Sequence, residues 1–190
     1  MGTLVRDALI CLGIVIVLTA VAGCGSDDPE SAAPKQAVAD EAFARAPEPI
    51  RALYEQRNEL LGGGGEAFRD RLEELRGYPV VVNKWASWCG PCRAEFPFFQ
   101  RQAVQRARQV AFIGVNSTDN DASAEEFLEE FPVTYPSYKD PDQEVAGVFD
   151  GVAAFPSTAF YDSKGKLRYL KQGGYPKESK LAADIERYAK

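Results

Sequence analysis

Residues 88–92 read Trp88-Cys89-Gly90-Pro91-Cys92, and the rest of the chain is organised around this pentapeptide. It follows the apolar, strand-like run Val80-Val81-Val82 and opens a stretch with helical spacing. Two cysteines separated by two residues at a strand-to-helix junction are typical of a redox-active dithiol. The pattern therefore predicts thiol redox chemistry and leaves open the direction of electron flow and the partner protein.

The composition limits the other functions that the chain could have. Its 190 residues suit one domain with an addition at the N-terminus, and the formal net charge is -6. An acidic chain has no basic surface to neutralise phosphates, which argues against nucleic acid as a partner. Histidine is absent. Catalytic Cys-His and Ser-His pairs and histidine metal sites are therefore excluded.

The N-terminus has the pattern of a bacterial export signal. Arg6 precedes an uncharged apolar run from Ala8 to Ala22, which is shorter than the roughly 20 residues that a transmembrane helix needs. The run ends in Val21-Ala22-Gly23-Cys24, which resembles the lipobox of bacterial lipoproteins. That resemblance implies a signal peptide over residues 1–23, a lipid on Cys24 and a domain outside the cytoplasm. An uncleaved anchor and an ordinary secretory signal remain alternatives.

The four cysteines then divide into two groups. Cys11 lies inside the predicted signal and Cys24 is the predicted lipid site, which leaves Cys89 and Cys92 for the folded domain. A single close-spaced pair is not a disulfide scaffold, because so short a loop removes little chain entropy from the unfolded state. Zinc is disfavoured because two more ligands are missing, so we expect no metal site.

Composition suggests three segments after the signal. Residues 24–49 are rich in Ala, Pro, Glu and Asp, and are predicted to be a flexible tether that leads into a first helical stretch. Residues 50–65 are predicted to be a helix followed by the four-glycine joint Gly62 to Gly65, the helix being either a stalk or an addition packed on the domain. The compact domain is expected over residues 66–190.

Strand-like and helix-like patterns alternate through that domain. Strands are predicted at 79–86, 110–115, 157–162 and 166–170, the last two as a hairpin, and helices at 92–108, 122–131, 144–149 and 176–190. This order predicts an α/β fold with a mixed central sheet flanked by helices.

Two stretches carry a family resemblance, namely Val81 to Pro97 around the dithiol and the later Phe155-Pro156-Ser157-Thr158. They resemble the thioredoxin-like superfamily, and within it the extracytoplasmic TlpA/ResA-like thiol-disulfide oxidoreductases. The resemblance implies a thioredoxin fold with a TlpA-type strand-helix insertion, here over about 116–150.

The dithiol chemistry follows from its position at a helix start. Cys89 would precede the helix N-terminus, where the macrodipole and free N–H groups stabilise a thiolate and make it the attacking sulfur. Cys92, one turn inside the helix, would resolve the mixed disulfide. Gly90 and Pro91 shape the turn, and Pro91 suits a first helical turn that needs no N–H. An inert disulfide is the alternative.

The resemblance also implies a substrate surface. Pro156 would be a cis-proline placed against the cysteines, presenting the Phe155 backbone as a strand edge to an extended substrate. Trp88 would line the same surface, although simple core packing is an alternative. Trp85 is assigned to the core.

Three polar residues near the motif need an explanation. Thioredoxins proper carry a buried aspartate at the position of Asn83, whereas the TlpA/ResA resemblance supplies a glutamate at Glu95 that could exchange protons with Cys92. Glu95 could instead be a solvated residue or pair with Arg93 or Arg101. Lys84 stands where relatives place an apolar residue, so either that face is poorly covered or Lys84 has an acidic partner.

The leading prediction is a membrane-tethered thiol-disulfide oxidoreductase that reduces protein disulfides, as in cytochrome c maturation or copper-site assembly. A disulfide-forming oxidase, a thiol peroxidase and a redox-inert binding module are the alternatives. The resemblance implies no small-molecule cofactor, protein thiol or disulfide substrates, and a membrane thiol carrier of the CcdA or DsbD kind that supplies electrons.

Overall fold

The computed structural model describes residues 1–2 and 34–190. Six strands form one mixed sheet: β1 (Leu60–Leu61), β2 (Val80–Trp85), β3 (Ala111–Ser117), β4 (Ser137–Asp140), β5 (Ser157–Tyr161) and β6 (Leu167–Gln172). Seven helices accompany them: α1 (Gln36–Ala44), α2 (Glu48–Glu55), α3 (Gly64–Glu74), α4 (Gly90–Gln105), α5 (Asp121–Glu130), α6 (Glu144–Val148) and α7 (Glu178–Tyr188).

The sheet order is β1-β4-β3-β2-β5-β6. The first four strands in that order run parallel, β5 is antiparallel to β2, and β6 is antiparallel to β5. Every residue of β2 and β3 is buried, because helices cover both faces of the sheet. The predicted mixed α/β sheet is therefore confirmed, with β2, the strand that leads to the cysteines, near its centre.

Two apolar clusters fill the space between the sheet and its helices. Because side chains alternate along a strand, Val80 and Val82 enter one cluster and Val81 enters the other. The first cluster packs against α1, α2, α3 and α6, and the second against most of α4 with α5 and α7. The helix that carries Cys92 is thus held by the second cluster, which fixes its start at the end of β2.

The predicted tether and glycine joint need correction. Residues 36–44, assigned to the tether over 24–49, form α1, which buries Ala39 and Phe43 in the first cluster. The helix placed in the segment 50–65 is α2, and it packs on the domain instead of forming a stalk. Gly64 and Gly65 begin α3, while Gly63 takes the left-handed φ of +97° that allows the turn. The compact part therefore starts well before residue 66.

The region of the predicted strand-helix insertion, about 116–150, contains α5, β4 and α6; β4 followed by α6 has the predicted order, and α5 precedes them. β4 lies between β3 and β1 in the sheet. β1 was not predicted, since two residues are too few to show strand periodicity.

The predicted signal peptide over 1–23, with Cys11, and the predicted lipid site Cys24 fall outside the described residues. Within the described part of the chain, no helix is both long and apolar enough to cross a membrane.

Candidate active site

Cys89 and Cys92 are joined by a disulfide with a Cα–Cα distance of 5.3 Å. Cys89 is the N-cap of α4, and its Sγ accepts a hydrogen bond from the Cys92 backbone N–H at 3.2 Å. Cys89 is 4% exposed and Cys92 is 0% exposed, so Cys89 is the more accessible of the two cysteines. A thiolate formed at Cys89 would lie at the positive end of the helix dipole, which favours the charged form.

The loop that carries the dithiol is held by the segment after β3. The Asp119 carboxylate accepts hydrogen bonds from the Ser87 backbone N–H at 2.5 Å and from the Ser87 hydroxyl at 2.8 Å. The Trp88 indole N–H donates to the Thr118 carbonyl at 3.0 Å. Sequence reasoning missed Asp119, although parallel strands such as β2 and β3 end at the same edge of a sheet, and a carboxylate there was a usable signal.

Pro156 follows a cis peptide bond after Phe155, as predicted. Gly174 shows that Pro156 lies beside the dithiol. A Cβ atom built on this glycine would be 3.6 Å from Pro156 Cγ, 3.4 Å from Pro91 Cβ and 3.5 Å from Glu95 Oε2. The Pro156 carbonyl accepts the Gly173 N–H at 2.8 Å. Pro91, Glu95 and Pro156 therefore lie close together around Gly174, beside the dithiol.

Trp88 and Phe155 form an aromatic pair at this surface. Their ring centroids are 4.8 Å apart, Trp88 is 59% exposed and Phe155 is half-buried. The alternative that Trp88 is a core residue is therefore wrong. Trp85, by contrast, is fully buried, and its indole N–H donates to the Ser137 hydroxyl at 3.0 Å, which confirms its assignment to the core.

Glu95 is fully buried one helical turn after Cys92, on the same face of α4. Its Oε2 accepts the Tyr175 backbone N–H at 2.9 Å, and its Oε1 has no hydrogen-bond partner. Burial raises the pKa of Glu95 to about 8, although this backbone bond and the charge of Lys171 oppose the shift. The carboxyl group can therefore hold or release a proton near neutral pH.

The alternatives for Glu95 are excluded by geometry. The group is not solvated, and both nearby arginines bind other carboxylates: Arg93 pairs with Glu130 and Arg101 pairs with Glu178. The proton-exchange role itself stays a prediction.

Asn83 lies on β2 beneath the site and is 1% exposed. Burial raises the pKa of the Tyr135 hydroxyl well above its ordinary value; the charge of Glu95 adds to this rise, and the Asn83 side chain opposes it. Each of the three side chains has at least one buried polar atom without a hydrogen-bond partner. This is a buried polar cluster in an otherwise apolar core, and sequence reasoning did not find Tyr135.

Lys84 is completely buried on β2. Its ammonium donates to three neutral oxygens: the Gly151 carbonyl at 2.8 Å, the Gln143 side chain at 3.0 Å and the Val152 carbonyl at 3.2 Å. Burial lowers the pKa of Lys84, while the charge of Asp140 opposes that shift. The two alternatives from the sequence are thus corrected. The face is covered, and two backbone carbonyls and the Gln143 side chain bind the ammonium, while Asp140 contributes only through space.

Lys171 holds the loop on the other side of Pro156. Its ammonium donates to the carbonyls of Gly173 and Gly174, the latter at 3.0 Å, and lies 4.5 Å from the centre of the Tyr175 ring. Because Tyr175 donates its N–H to Glu95, Lys171 helps to fix the only direct donor found for that carboxyl group among the described residues.

No group of three or more metal-ligating side chains occurs within residues 34–190. The expectation that the chain needs no cofactor is not tested by this observation and stays a prediction.

Comparison with known proteins adds three findings. The family model described as Redoxin matches residues 62–185. Thiol-disulfide oxidoreductase ResA of Geobacillus kaustophilus (strain HTA426) is 31% identical over 119 residues, which are 62% of this chain and 65% of that protein. Thiol:disulfide interchange protein DsbE of Pseudomonas fluorescens biotype C is 38% identical over 96 residues, which are 50% and 52% of the two chains.

A solved structure supports the same assignment of fold. The crystal structure of a candidate thiol:disulfide interchange protein DsbE from Chlorobium tepidum superposes with a TM-score of 0.56 at 28% identity, over 61% of this chain and 83% of that one. The predicted thioredoxin fold is confirmed. The chain spans less than two thirds of the length of the curated relatives described above.

Proposed function

The chain belongs to the Redoxin family, as a TlpA/ResA-like member of the thioredoxin superfamily, and on that premise we propose that it is a thiol-disulfide oxidoreductase acting on proteins. One observation carries the proposal: the disulfide joins Cys89, the N-cap of α4, to Cys92, and only Cys89 keeps any solvent exposure. Names of relatives such as ResA and DsbE support the same activity.

The reaction follows from the unequal exposure of the two sulfurs. In the reduced protein, the Cys89 thiolate attacks one sulfur of a substrate disulfide, forms a mixed disulfide and releases the first substrate thiolate. The Cys92 thiolate then attacks Cys89 Sγ, closes the Cys89–Cys92 disulfide and releases the second substrate thiolate. Two electrons pass to the substrate, and its two thiolates take up protons. A membrane thiol carrier of the CcdA or DsbD kind would return the electrons.

Glu95 is proposed to move the proton of Cys92. Attack by Cys92 requires its thiol to lose a proton, and the unpartnered Oε1 of Glu95 is the atom available to receive it. A carboxyl group with a pKa of about 8 can both take and return that proton near neutral pH.

Reduction is the proposed direction, with oxidation as the competing one. The Gly90-Pro91 dipeptide is the one found in reducing thioredoxins, whose potential is about -270 mV, against about -120 mV for DsbA. The deciding quantity is the equilibrium potential of Cys89–Cys92 against glutathione or dithiothreitol. A value near that of thioredoxin supports a reductase, and a value near that of DsbA supports a disulfide-forming oxidase.

Location and client are proposed from the sequence pattern. A lipid on Cys24 would tether the domain at the outer face of the cell membrane, where apocytochrome c or copper-site cysteines would be its substrates. Mass spectrometry of the membrane fraction tests the lipid on Cys24. Trapping with Cys92→Ser, which leaves mixed disulfides on Cys89 unresolved, identifies the client.

The activity itself is tested by reduction of insulin with dithiothreitol as the electron source. We expect the wild-type protein to accelerate insulin reduction, and Cys89→Ser to lose at least about 100-fold, because Cys89 is the more accessible cysteine and lies at the N-terminus of α4. Ser179→Ala removes an exposed hydroxyl on α7 without touching the dithiol loop and serves as the control. Equal rates for wild type and Cys89→Ser would contradict the proposal, and rapid turnover of hydrogen peroxide alone would favour a thiol peroxidase.

A further inference from the structure

A buried ammonium lies next to the proposed substrate surface without taking part in the dithiol chemistry. Lys84 is on the central strand β2, where its neighbours β3 and β5 pair with it on both sides. It is 0% exposed. A buried charge is costly unless it is fully hydrogen-bonded, so the partners of Lys84 indicate what its charge holds in place.

Those partners belong to the segment that leads to Pro156. Two of the three acceptors are the carbonyls of Gly151 and Val152, at 2.8 Å and 3.2 Å. Residues 149–156 connect α6 to β5 without a helix or strand of their own. Lys84 therefore supplies the hydrogen bonds that a regular element would otherwise provide for these two carbonyls.

The same ammonium contacts the ring of Phe155. Its Nζ lies 3.8 Å from the ring centroid, within the range of a cation–π contact. Because Lys84 is buried, it contacts the ring from inside the protein, while Trp88 packs on Phe155 at a centroid distance of 4.8 Å and is 59% exposed. We call Trp88 and Phe155 the aromatic platform.

We propose that Lys84 is a positioning residue for protein substrates: it fixes the segment 151–155 so that the aromatic platform stands beside Cys89 and receives an apolar side chain flanking the target disulfide. The inference rests on the proposed function, since a substrate disulfide must reach Cys89. The ligand of the aromatic platform is the extended substrate chain itself, because the platform is continuous with cis-Pro156 and with the pentapeptide that ends in Cys92.

The platform is suited to this role by its exposure and its rigidity. Trp88 is among the few large apolar side chains exposed in the described part of the chain, and its indole N–H is already bound to the Thr118 carbonyl. The Phe155 ring is contacted from the protein interior by the Lys84 ammonium. Two rings fixed in this way lose little conformational entropy when an apolar side chain packs on them.

The test measures binding without electron transfer. Two extended peptides carry serine in place of the target cysteine, flanked on both sides by phenylalanine in one peptide and by glycine in the other, and their affinities for the full chain are measured by NMR titration. We expect wild type to prefer the phenylalanine peptide by roughly fivefold or more, and Lys84→Met to reduce that preference to about twofold or less. Lys166→Met, exposed in the β5–β6 hairpin at the far end of β5, is the control and should keep the preference.

A second variant covers the case in which Lys84→Met does not fold. Phe155→Leu leaves Lys84 in place and removes the ring from a half-buried position, and it should lose the preference as well. Lack of a preference in wild type, or its persistence in either Lys84→Met or Phe155→Leu, would overturn the proposal.

Insulin reduction separates this inference from the proposed function. In Lys84→Met we expect KM for insulin to rise by roughly fivefold, with a smaller change in the rate at which dithiothreitol reduces Cys89–Cys92. Equal losses in both reactions would indicate a structural role only and contradict positioning. If wild type fails to reduce insulin, the proposed function is wrong, and the peptide titration still decides the role of Lys84.

Discussion

At the scale of single residues, Glu95 shows how strongly surroundings change a side chain. The same carboxyl group on an exposed helix surface would be ionised at neutral pH, whereas here it is fully buried with one direct donor, the Tyr175 N–H. Its pKa rises from an ordinary 4.5 to about 8 because burial penalises the charge. That shift makes the stability of the protein depend on pH.

The sign of this dependence is fixed by the raised pKa. Between about pH 4.5 and about pH 8 the unfolded chain ionises Glu95 while the folded chain keeps its proton, so stability falls as pH rises through this window and is level above it. We expect the free energy of unfolding of the oxidised wild type, relative to Glu95→Gln, to drop by on the order of 3–5 kcal/mol between pH 5 and pH 9. Denaturant titration at both pH values measures it.

Using the oxidised protein removes cysteine ionisation from the comparison, because a disulfide does not titrate. Glu186→Gln, at an exposed carboxylate on α7, is the matched control and should follow wild type at both pH values. A difference between wild type and Glu95→Gln that does not vary with pH would contradict the raised pKa.

The residues that could be predicted from the sequence are those whose role depends on near neighbours in the chain. Cys89, Cys92 and Trp85 belong to one strand–turn–helix unit, and the cis bond before Pro156 was implied by a family motif. Lys84 could not be explained in this way. Its acceptors at Gly151 and Val152 lie 67 and 68 positions further along the chain, and only the fold brings them together.

At the scale of elements, the turn after β3 stabilises the turn after β2 through hydrogen bonds to Asp119, which we call the brace. Asp119 binds the Ser87 backbone and hydroxyl and also accepts the Asn116 side-chain N–H at 2.9 Å. This arrangement ties the two adjacent parallel strands together where they end, directly before the dithiol. The position of Cys89 therefore depends on a residue 30 positions later in the chain.

Removing this brace is expected to loosen the dithiol loop. Asp119→Ala should lower the free energy of unfolding by about 1–3 kcal/mol, because the Ser87 and Asn116 donors lose their partner. Alkylation of Cys89 in the reduced protein should become faster as the loop opens. Asp142→Ala, at an exposed turn, is the control and should change neither quantity, and a stable Asp119→Ala with wild-type alkylation would show that the brace is dispensable.

Elements were predictable from the sequence to the extent that they are long. The helices α4, α5 and α7 and the strands β2, β3 and β5 follow clear apolar periodicities, and the structure places all of them within a few residues of expectation. The two-residue strand β1 and the start of α3 at Gly64 could not be foreseen. β1 exists because it pairs with β4, and a glycine run normally predicts a break in a helix.

At the scale of the whole molecule, the N-terminal helices α1 and α2 are part of the core and not a linker that precedes it. The rings of Phe43 on α1 and Tyr54 on α2 stack with centroids 4.2 Å apart, and the Tyr54 hydroxyl donates to Asp40 at 2.6 Å. Both rings belong to the apolar cluster that also contains Val80 and Val82. The strand that leads to the cysteines is thus covered by helices that sequence reasoning assigned outside the domain.

Truncating one of these rings tests that coverage. Phe43→Ala should lower the free energy of unfolding by about 3–4 kcal/mol, as expected for a buried aromatic residue, and should do so in a single cooperative transition. Val38→Ala, on the exposed face of the same helix, is the control and should cost much less. If Phe43→Ala unfolds α1 alone without changing the main transition, then α1 is an appendage and not part of the core.

Because α1 packs on the domain, the segment between Cys24 and α1 limits the distance between the domain and a membrane to which Cys24 is anchored. If Cys24 carries the proposed lipid, only the 12 positions from residue 24 to residue 36 separate the bilayer from the first residue of α1, and a fully extended chain of that length reaches about 40 Å. A tether running to residue 49 would have allowed roughly twice that distance. The domain would therefore stay close to the membrane surface, and only substrates that come within this reach could meet its dithiol.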